Sequence, residues 1–148
     1  MTNKEMNHCL TVFENYLILT SPILVAFDSS GSIAFETHKK YLEAISRIRN
    51  IFRNPLNRVV YFSHQIEDEQ PLAEFKEKRI ISGGTDFQNV IDYAQKHRFP
   101  QVVIITDGVA PTPVVPKGMS VLWIMVPDMG YPIPPQLLDN LPGKVLLI

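Results

Sequence analysis

The chain has 148 residues, of which 45% are hydrophobic and 20% are charged, and its formal net charge is −1. This composition is typical of one folded domain with a substantial core, and it excludes a disordered chain. The near-zero charge gives no footprint for nucleic acid or an anionic membrane, and the single cysteine excludes an internal disulfide framework and a four-cysteine zinc site.

Strands and helices alternate along the chain, as the spacing of its apolar residues predicts. Continuous apolar runs indicate strands that are covered on both faces, and apolar residues three or four apart indicate helices with one buried face. In chain order we expect a helix within residues 1–16, a strand at Ile23–Phe27, a helix at Phe35–Phe52, strands at Arg58–Phe62 and Leu72–Phe75, a helix from Phe87, strands at Gln101–Ile105 and Val121–Val126, a helical turn at Gln136–Asn140 and a strand at Lys144–Ile148.

This order predicts an α/β fold of the Rossmann-like kind, with a mostly parallel central sheet and helices on both faces. Residues 1–19 are predicted to form an N-terminal extension, and residues 20–148 the main domain. Because right-handed crossovers connect parallel strands, the strand-to-helix loops lie at one edge of the sheet. Ligands bind at this edge in such folds.

Three loops at this edge carry carboxylates or hydroxyls where a strand ends or a helix begins. The residues are Asp28, Ser30 and Ser32 in the first loop, Thr85 in the second and Asp107 in the third. Oxygen ligands of this kind suit a hard divalent cation, whereas zinc prefers histidine and cysteine. The sequence therefore predicts a Mg²⁺ site, at which Mn²⁺ is also possible.

The motifs around these residues resemble the metal-ion-dependent adhesion site of von Willebrand factor A (VWA) domains. That site combines Asp-x-Ser-x-Ser, a downstream Thr, and Thr-Asp-Gly after a later strand. The local segments Val-Ala-Phe-Asp-Ser-Ser-Gly-Ser-Ile, Ser-Gly-Gly-Thr-Asp-Phe and Ile-Ile-Thr-Asp-Gly are most similar to the VWA-like C-terminal half of metallopeptidase-related proteins of bacteria and phages. The resemblance covers residues 20–148.

The resemblance implies a non-enzymatic domain whose metal ion takes an acidic side chain of a partner protein as its last ligand. It also implies that Ser30, Ser32 and Thr85 coordinate the metal directly or nearly so, and that Asp28 and Asp107 act largely through waters. A protein partner that supplies a carboxylate is therefore expected, and neither nucleic acid nor a membrane.

The chain departs from the family pattern in two places. The connection from Asp107 to Val121 is short and rich in proline, where VWA domains commonly insert a helix. No His-Glu-x-x-His motif occurs, so we expect no peptidase activity. The single Cys9 fits a reducing compartment, and we expect a cytoplasmic protein.

Two other functions use the same edge of the sheet. The first is a Mg²⁺-dependent phosphatase or phosphotransferase of the haloacid dehalogenase type, with Asp28 as the nucleophile. That family has a second aspartate two residues later, where this chain has Ser30. The second is binding of phosphate or a nucleotide on the glycine turns at helix N-termini, which the carboxylates would oppose unless a metal were present.

Each residue also has a simpler structural interpretation. Ser30 or Ser32 could cap a helix, and Thr85 with Gln88 forms a Thr-x-x-Gln capping box. Asp107 with the glycine after it could be a plain turn. A hydroxyl can serve as a cap and as a ligand together, because it has two lone pairs.

Two further residues are candidates for the rim of the site. Asp86 is either a first-turn acid favoured by the helix dipole or an outer group of the metal site. Tyr131, in the loop after Val121–Val126, could anchor a partner. The four histidines show no ligand spacing and are predicted to lie on the surface; they are His8, His38, His64 and His97.

Overall fold

The structure is a computed structural model, and it describes residues 3–29, 35–78, 83–107, 110–127 and 133–148. In chain order the elements are α1 (Asn3–Tyr16), β1 (Ile23–Asp28), α2 (Phe35–Ile51), β2 (Arg58–Phe62), β3 (Ile66–Pro71), a 3-10 turn (Leu72–Glu74), α3 (Phe87–Lys96), β4 (Gln101–Thr106), β5 (Ser120–Met125), α4 (Pro135–Asn140) and β6 (Lys144–Leu147).

The strands form one six-stranded sheet in the order β3-β2-β1-β4-β5-β6. Every neighbouring pair is parallel except β2 and β3, which are antiparallel. The predicted α/β class and mostly parallel sheet are confirmed. The strand order reverses between β1 and β4, which makes the gap between their carboxyl ends the topological switch point of the sheet.

Helices cover both faces of the sheet, as predicted. Successive residues of a strand point to opposite faces, so Val25 packs towards α1 and α2, and Ala26 packs towards α3 and α4. All six residues of β1 and of β4 are buried, which explains their continuous apolar sequences. Neither strand has a face left for solvent, so only their ends can carry function.

The helix α1 is anchored on the first of these faces. Its Phe13, together with Leu17 just after it, lies in the buried core beside α2. The segment that follows is fixed by the Gln101 side chain, whose Nε2 donates to the carbonyl oxygen of Ile18 at 2.9 Å. The predicted helix is confirmed, and it covers the sheet where β1 and β4 begin.

The predicted strand at Leu72–Phe75 is wrong. The edge strand β3 lies earlier, and Leu72 opens a 3-10 turn instead. Because β3 has only one neighbouring strand, it needs no apolar pattern, and it carries acids that pair with nearby cations. Glu69 binds Arg58 at 3.1 Å and Asp68 binds Lys78 at 3.2 Å. Charged edge strands of this kind also resist pairing with other chains.

The C-terminus of α3 has an unusual residue in a common motif. The Phe99 N–H donates to the Ala94 carbonyl at 2.8 Å, and the Arg98 N–H donates to that of Gln95 at 3.2 Å. This is a Schellman motif, whose left-handed position is usually glycine. Here Arg98 holds that position, with φ 62°. The left-handed conformation costs a residue with a Cβ about 1 kcal/mol or more.

Candidate metal centre

Asp28 ends β1 as an acid inside the protein. Its residue is 1% exposed, and its Oδ2 accepts a hydrogen bond of 2.6 Å from the Thr106 hydroxyl at the end of β4. The register explains this contact, because Phe27 pairs with Ile105 and places the next residue of each strand at the same edge. The hydrogen bond joins the two strand ends at the switch point and fixes the orientation of the carboxylate.

Thr106 is a residue of the site that the sequence analysis did not assign. It belonged to the Thr-Asp-Gly motif, but the resemblance gave a role only to the aspartate. Its hydroxyl is fully buried and points at the carboxylate of another loop. Its sequence position could have indicated this role, because Thr106 is a threonine at the end of a mostly apolar strand and stands one residue before an acid.

The second loop reaches the same edge through the end of β2. The Asp86 N–H donates to the Ser63 carbonyl at 2.8 Å. In the loop after β1, the Ser29 N–H donates to the Phe62 carbonyl at 2.8 Å, and the Ser29 hydroxyl donates to the same oxygen at 2.9 Å. The loops after β1 and before α3 are therefore fixed on two consecutive residues, the last residue of β2 and the residue after it.

Asp86 is the N-cap of α3. Its backbone is extended, and its Oδ1 accepts a hydrogen bond of 2.9 Å from the Gln88 N–H. The interpretation of Thr85 and Gln88 as a capping box is therefore wrong, because Thr85 lies one residue before the cap. The Thr85 side chain is half-buried. The Asp86 carboxylate also lies at the positive end of the helix dipole.

The predicted site residues that the structure describes lie at the carboxyl edge of the parallel strands. Asp28 is the last residue of β1, Asp107 is half-buried directly after β4, and Thr85 lies in the loop before α3. Ser30, Ser32 and Tyr131 lie outside the described residues. Because β5 runs parallel to β4, the chain leaves β5 at this same edge.

The described donors fit a hard cation. Two carboxylates and a threonine hydroxyl supply only oxygen, which Mg²⁺ and Mn²⁺ prefer. Within the described ranges, no group of three or more histidine, cysteine, aspartate or glutamate side chains is placed to hold a metal ion.

The prediction for the histidines was wrong at one position. His8, His64 and His97 are exposed, but His38 is buried. The His38 ring packs edge-on against Phe27, with 5.4 Å between the ring centroids, and its Nε2 lies 3.0 Å from the Glu77 carboxylate. The helical pattern of α2 did not predict that His38 is buried. Its ring packs as an aromatic core residue and has one polar contact.

Two tyrosines, the buried Tyr61 and the half-buried Tyr93, have a raised pKa. Burial raises the pKa of the Tyr93 hydroxyl, and its hydrogen bond to the Glu69 carboxylate raises it further. Burial also raises the pKa of Tyr61, whose oxygen accepts a hydrogen bond of 2.9 Å from the Lys78 N–H. Both hydroxyls are therefore neutral at ordinary pH and act as structural groups.

Residues 23–137 match the protein family described as VWA-like domain (DUF2201), and the chain belongs to that family. The match covers β1 to α4 and includes the whole carboxyl edge described above. VWA-like domains are protein-interaction or adhesion-type domains, and their fold is generally non-catalytic. No curated protein and no solved structure shows significant similarity to the chain. None of the helices in the described ranges has the length and apolar character needed to cross a membrane.

Proposed function

We propose that this chain is a Mg²⁺-dependent interaction domain of the metal-ion-dependent adhesion type, which binds an acidic side chain of a partner protein and catalyses no reaction. The metal would be held by Asp28, Thr85 and Asp107 together with Ser30 and Ser32. Mn²⁺ could replace Mg²⁺ because it accepts the same oxygen ligands. We retain the cytoplasm as the expected location.

The observation that carries this proposal is the hydrogen bond between Thr106 and Asp28. A carboxylate that is 1% exposed costs free energy unless charged or polar groups compensate it. The Thr106 hydroxyl supplies one hydrogen bond to it at 2.6 Å and holds it at the switch point. A divalent cation at the same edge would add a compensating positive charge. A buried acid is also hard to explain by a turn or cap alone.

The convergence of the loops supports the same function. The chain before α3 is fixed to Ser63, and the chain after β1 is fixed to Phe62, so the positions of Thr85 and Asp28 depend on one strand. Asp107 follows directly from β4, the neighbour of β1. Rigid support of this kind is what a site of several separate oxygen ligands needs, since each ligand must be preorganised.

The bound metal would supply a positive charge with a coordination position open to a carboxylate. A purely structural role of the metal is less well supported, because the stabilisation free energy that its binding would add is small. If Mg²⁺ is present near its dissociation constant, binding adds only about 0.4 kcal/mol to stability. The open position is therefore the more useful property of the site.

The phosphatase alternative has less support. A nucleophilic carboxylate needs an oxygen open to the substrate, and Asp28 is buried with one oxygen in a hydrogen bond. The position of that family's second aspartate is Ser30 in this chain. Hydrolysis of p-nitrophenyl phosphate that vanadate inhibits and that Asp28→Asn abolishes would establish this alternative instead. Heat on titration with ATP and Mg²⁺ would favour the nucleotide-binding alternative.

The first test measures metal binding. Mn²⁺ binding is followed by electron paramagnetic resonance and Mg²⁺ binding by competition, in the wild type and in Asp28→Asn, Thr85→Val and Asp107→Asn. We expect each variant to weaken binding by about tenfold or more, since each loses a ligand or its water contact. Asp139→Asn, on the exposed face of α4, is the matched control. Unchanged Mn²⁺ affinity in all three site variants would disprove the proposed metal site.

The second test concerns the partner. Immobilised wild type and Asp28→Ala are incubated with native lysate in Mg²⁺ and then in EDTA, with circular dichroism as a check that the variant is folded. A protein retained by the wild type in Mg²⁺ and released by EDTA is the expected result. Equal retention by Asp28→Ala, with or without the chelator, would show that the carboxyl edge is not a metal-dependent binding site.

A further inference from the structure

We infer that the amino edge of the sheet, opposite the metal centre, is a second docking surface, which binds a partner segment that carries an apolar side chain next to a carboxylate. Two neighbouring cavities lie there, of about 310 Å³ and 240 Å³. Arg98 and Phe99 line both of them, so the two cavities are adjacent at the strand starts, and together they are called the groove. The groove is defined by these lining residues: Pro22, Leu56, Glu69, Gln95, His97, Arg98, Phe99, Pro100, Pro116, Lys117, Gly118 and Met119.

The groove contains an exposed leucine on a turn that hydrogen bonds fix. Leu56 is 63% exposed. Its N–H donates to the Asn54 Oδ1 at 2.9 Å, and the Asn54 Nδ2 donates to the Thr20 carbonyl at 2.8 Å. These bonds tie the loop before β2 to the loop before β1. A large apolar side chain on a fixed turn loses little conformational entropy when a partner covers it.

The unbalanced charge of the groove is positive. Its one acid, Glu69, is already paired with Arg58 at 3.1 Å and accepts the hydrogen bond of Tyr93. Arg98 and Lys117 form no ion pair with an acid in the part of the chain that the structure describes. Charge complementarity therefore selects an acidic segment, and the apolar lining selects an apolar side chain beside the acid.

The conformation of Arg98 is an independent observation. It occupies the left-handed position of the Schellman motif, where glycine would fit without strain. Strained residues persist where the surroundings or the function require them. The two hydrogen bonds that end α3 use only the backbone, so the capping motif does not need an arginine side chain. Arg98 lines both cavities and is exposed, so its guanidinium is accessible to a carboxylate of a partner.

The experiment uses two acetylated peptides as probes, Asp-Leu-Asp-Asp-Phe-Asp and Lys-Leu-Lys-Lys-Phe-Lys, which share their apolar residues. Each is titrated into ¹⁵N-labelled full chain in EDTA, so that the metal centre does not contribute. We expect the acidic peptide alone to give saturable amide shifts, centred on Leu56, Arg98 and Phe99. The affinity should fall as salt is raised, because exposed charges are screened.

Arg98→Gly separates function from folding. We expect it to keep or raise the melting temperature, because it removes the left-handed strain, and to weaken binding of the acidic peptide by about fivefold. Leu56→Ala should weaken binding by a similar factor or more. Arg47→Ala, an exposed cation on α2, is the control and should bind as the wild type does.

Three results would overturn the inference. They are the absence of saturable shifts with the acidic peptide, equal binding of the lysine peptide, and wild-type affinity in Arg98→Gly. Sedimentation equilibrium of the free chain provides a further test. A dimer that Leu56→Ala dissociates would show that a second copy, not an acidic partner segment, occupies the groove. Because all these measurements are made without metal, they stand or fall separately from the proposed metal centre.

Discussion

At the scale of single residues, the group with a large desolvation cost is the Asp28 carboxylate, which lies where β1 and β4 end. The Asp28 carboxylate is buried, and the Thr106 hydroxyl donates to it across the switch point. A buried acceptor that loses a donor retains its desolvation cost without the compensating hydrogen bond. The pair therefore links stability to the proposed site, and it can be tested without a partner.

Thr106→Val should remove the hydroxyl with little change of shape. We expect a loss of about 1–3 kcal/mol in the free energy of unfolding. We also expect Mg²⁺ affinity to fall by about tenfold or more, because groups that orient a ligand matter nearly as much as the ligand. Urea unfolding and Mn²⁺ competition measure the two effects. Thr106→Ser, which keeps the hydroxyl, is the control; a valine variant that matches it in both measurements would contradict the assigned role.

At the scale of elements, the apolar segments were predictable and the polar ones were not. The runs at β1, β2, β4 and β5 identified their strands because each is buried in the sheet. The polar strand β3 was missed because its stability comes from backbone pairing with β2 and from ion pairs such as Arg58–Glu69. Hydropathy carries no signal for such an edge strand.

The candidate site shows the same limit. The sequence predicted Asp28, Thr85 and Asp107 as site residues from short local motifs, and these residues stay a prediction. It did not identify Ser29, whose hydroxyl binds the Phe62 carbonyl at 2.9 Å, because that contact joins residues far apart in the chain. It also assigned the cap of α3 to the wrong residue. The local sequence offers Thr85 and Asp86 as N-caps of α3. The backbone conformation decides between them, because Asp86 is the extended residue that accepts the cap hydrogen bond.

The cap of α3 can be tested directly. Asp86→Ala should lower the free energy of unfolding by about 1 kcal/mol, because the Gln88 N–H loses its acceptor. Asp86→Asn should keep most of that stability, since asparagine caps helices about as well as aspartate. Thermal unfolding of the two variants measures the difference. If Asp86→Asn loses as much stability as the alanine variant, the charge and not the cap is the important property.

At the scale of the whole molecule, the sheet has two ends with different chemistry. Its carboxyl edge gathers Asp28, Thr85 and Asp107, whereas its amino edge exposes Leu56 and an unbalanced Arg98. The two edges are joined by strands that are buried along their length. Such a domain could hold one partner at each end. This arrangement requires that the sheet and its covering helices unfold as one unit.

The helix α1 is the part of the chain for which this requirement is least evident, because the sequence predicted it as an extension. Its Phe13 is 1% exposed and packs against Phe52, with 6.3 Å between ring centroids. Phe13→Ala should therefore lower the free energy of unfolding by about 3–5 kcal/mol. The exposed Ile18 gives a matched control, and Ile18→Ala should change stability by less than about 0.5 kcal/mol.

Far-ultraviolet circular dichroism and Trp123 fluorescence would report these unfolding transitions separately. Trp123 lies in β5, so its signal follows the sheet and not α1. If α1 belongs to the cooperative unit, both signals should shift together in Phe13→Ala. A helical signal that melts first, while the fluorescence transition keeps its wild-type midpoint, would show instead that residues 1–19 are a separable extension. In that case the interaction domain would begin near residue 20, and its two edges would not depend on α1.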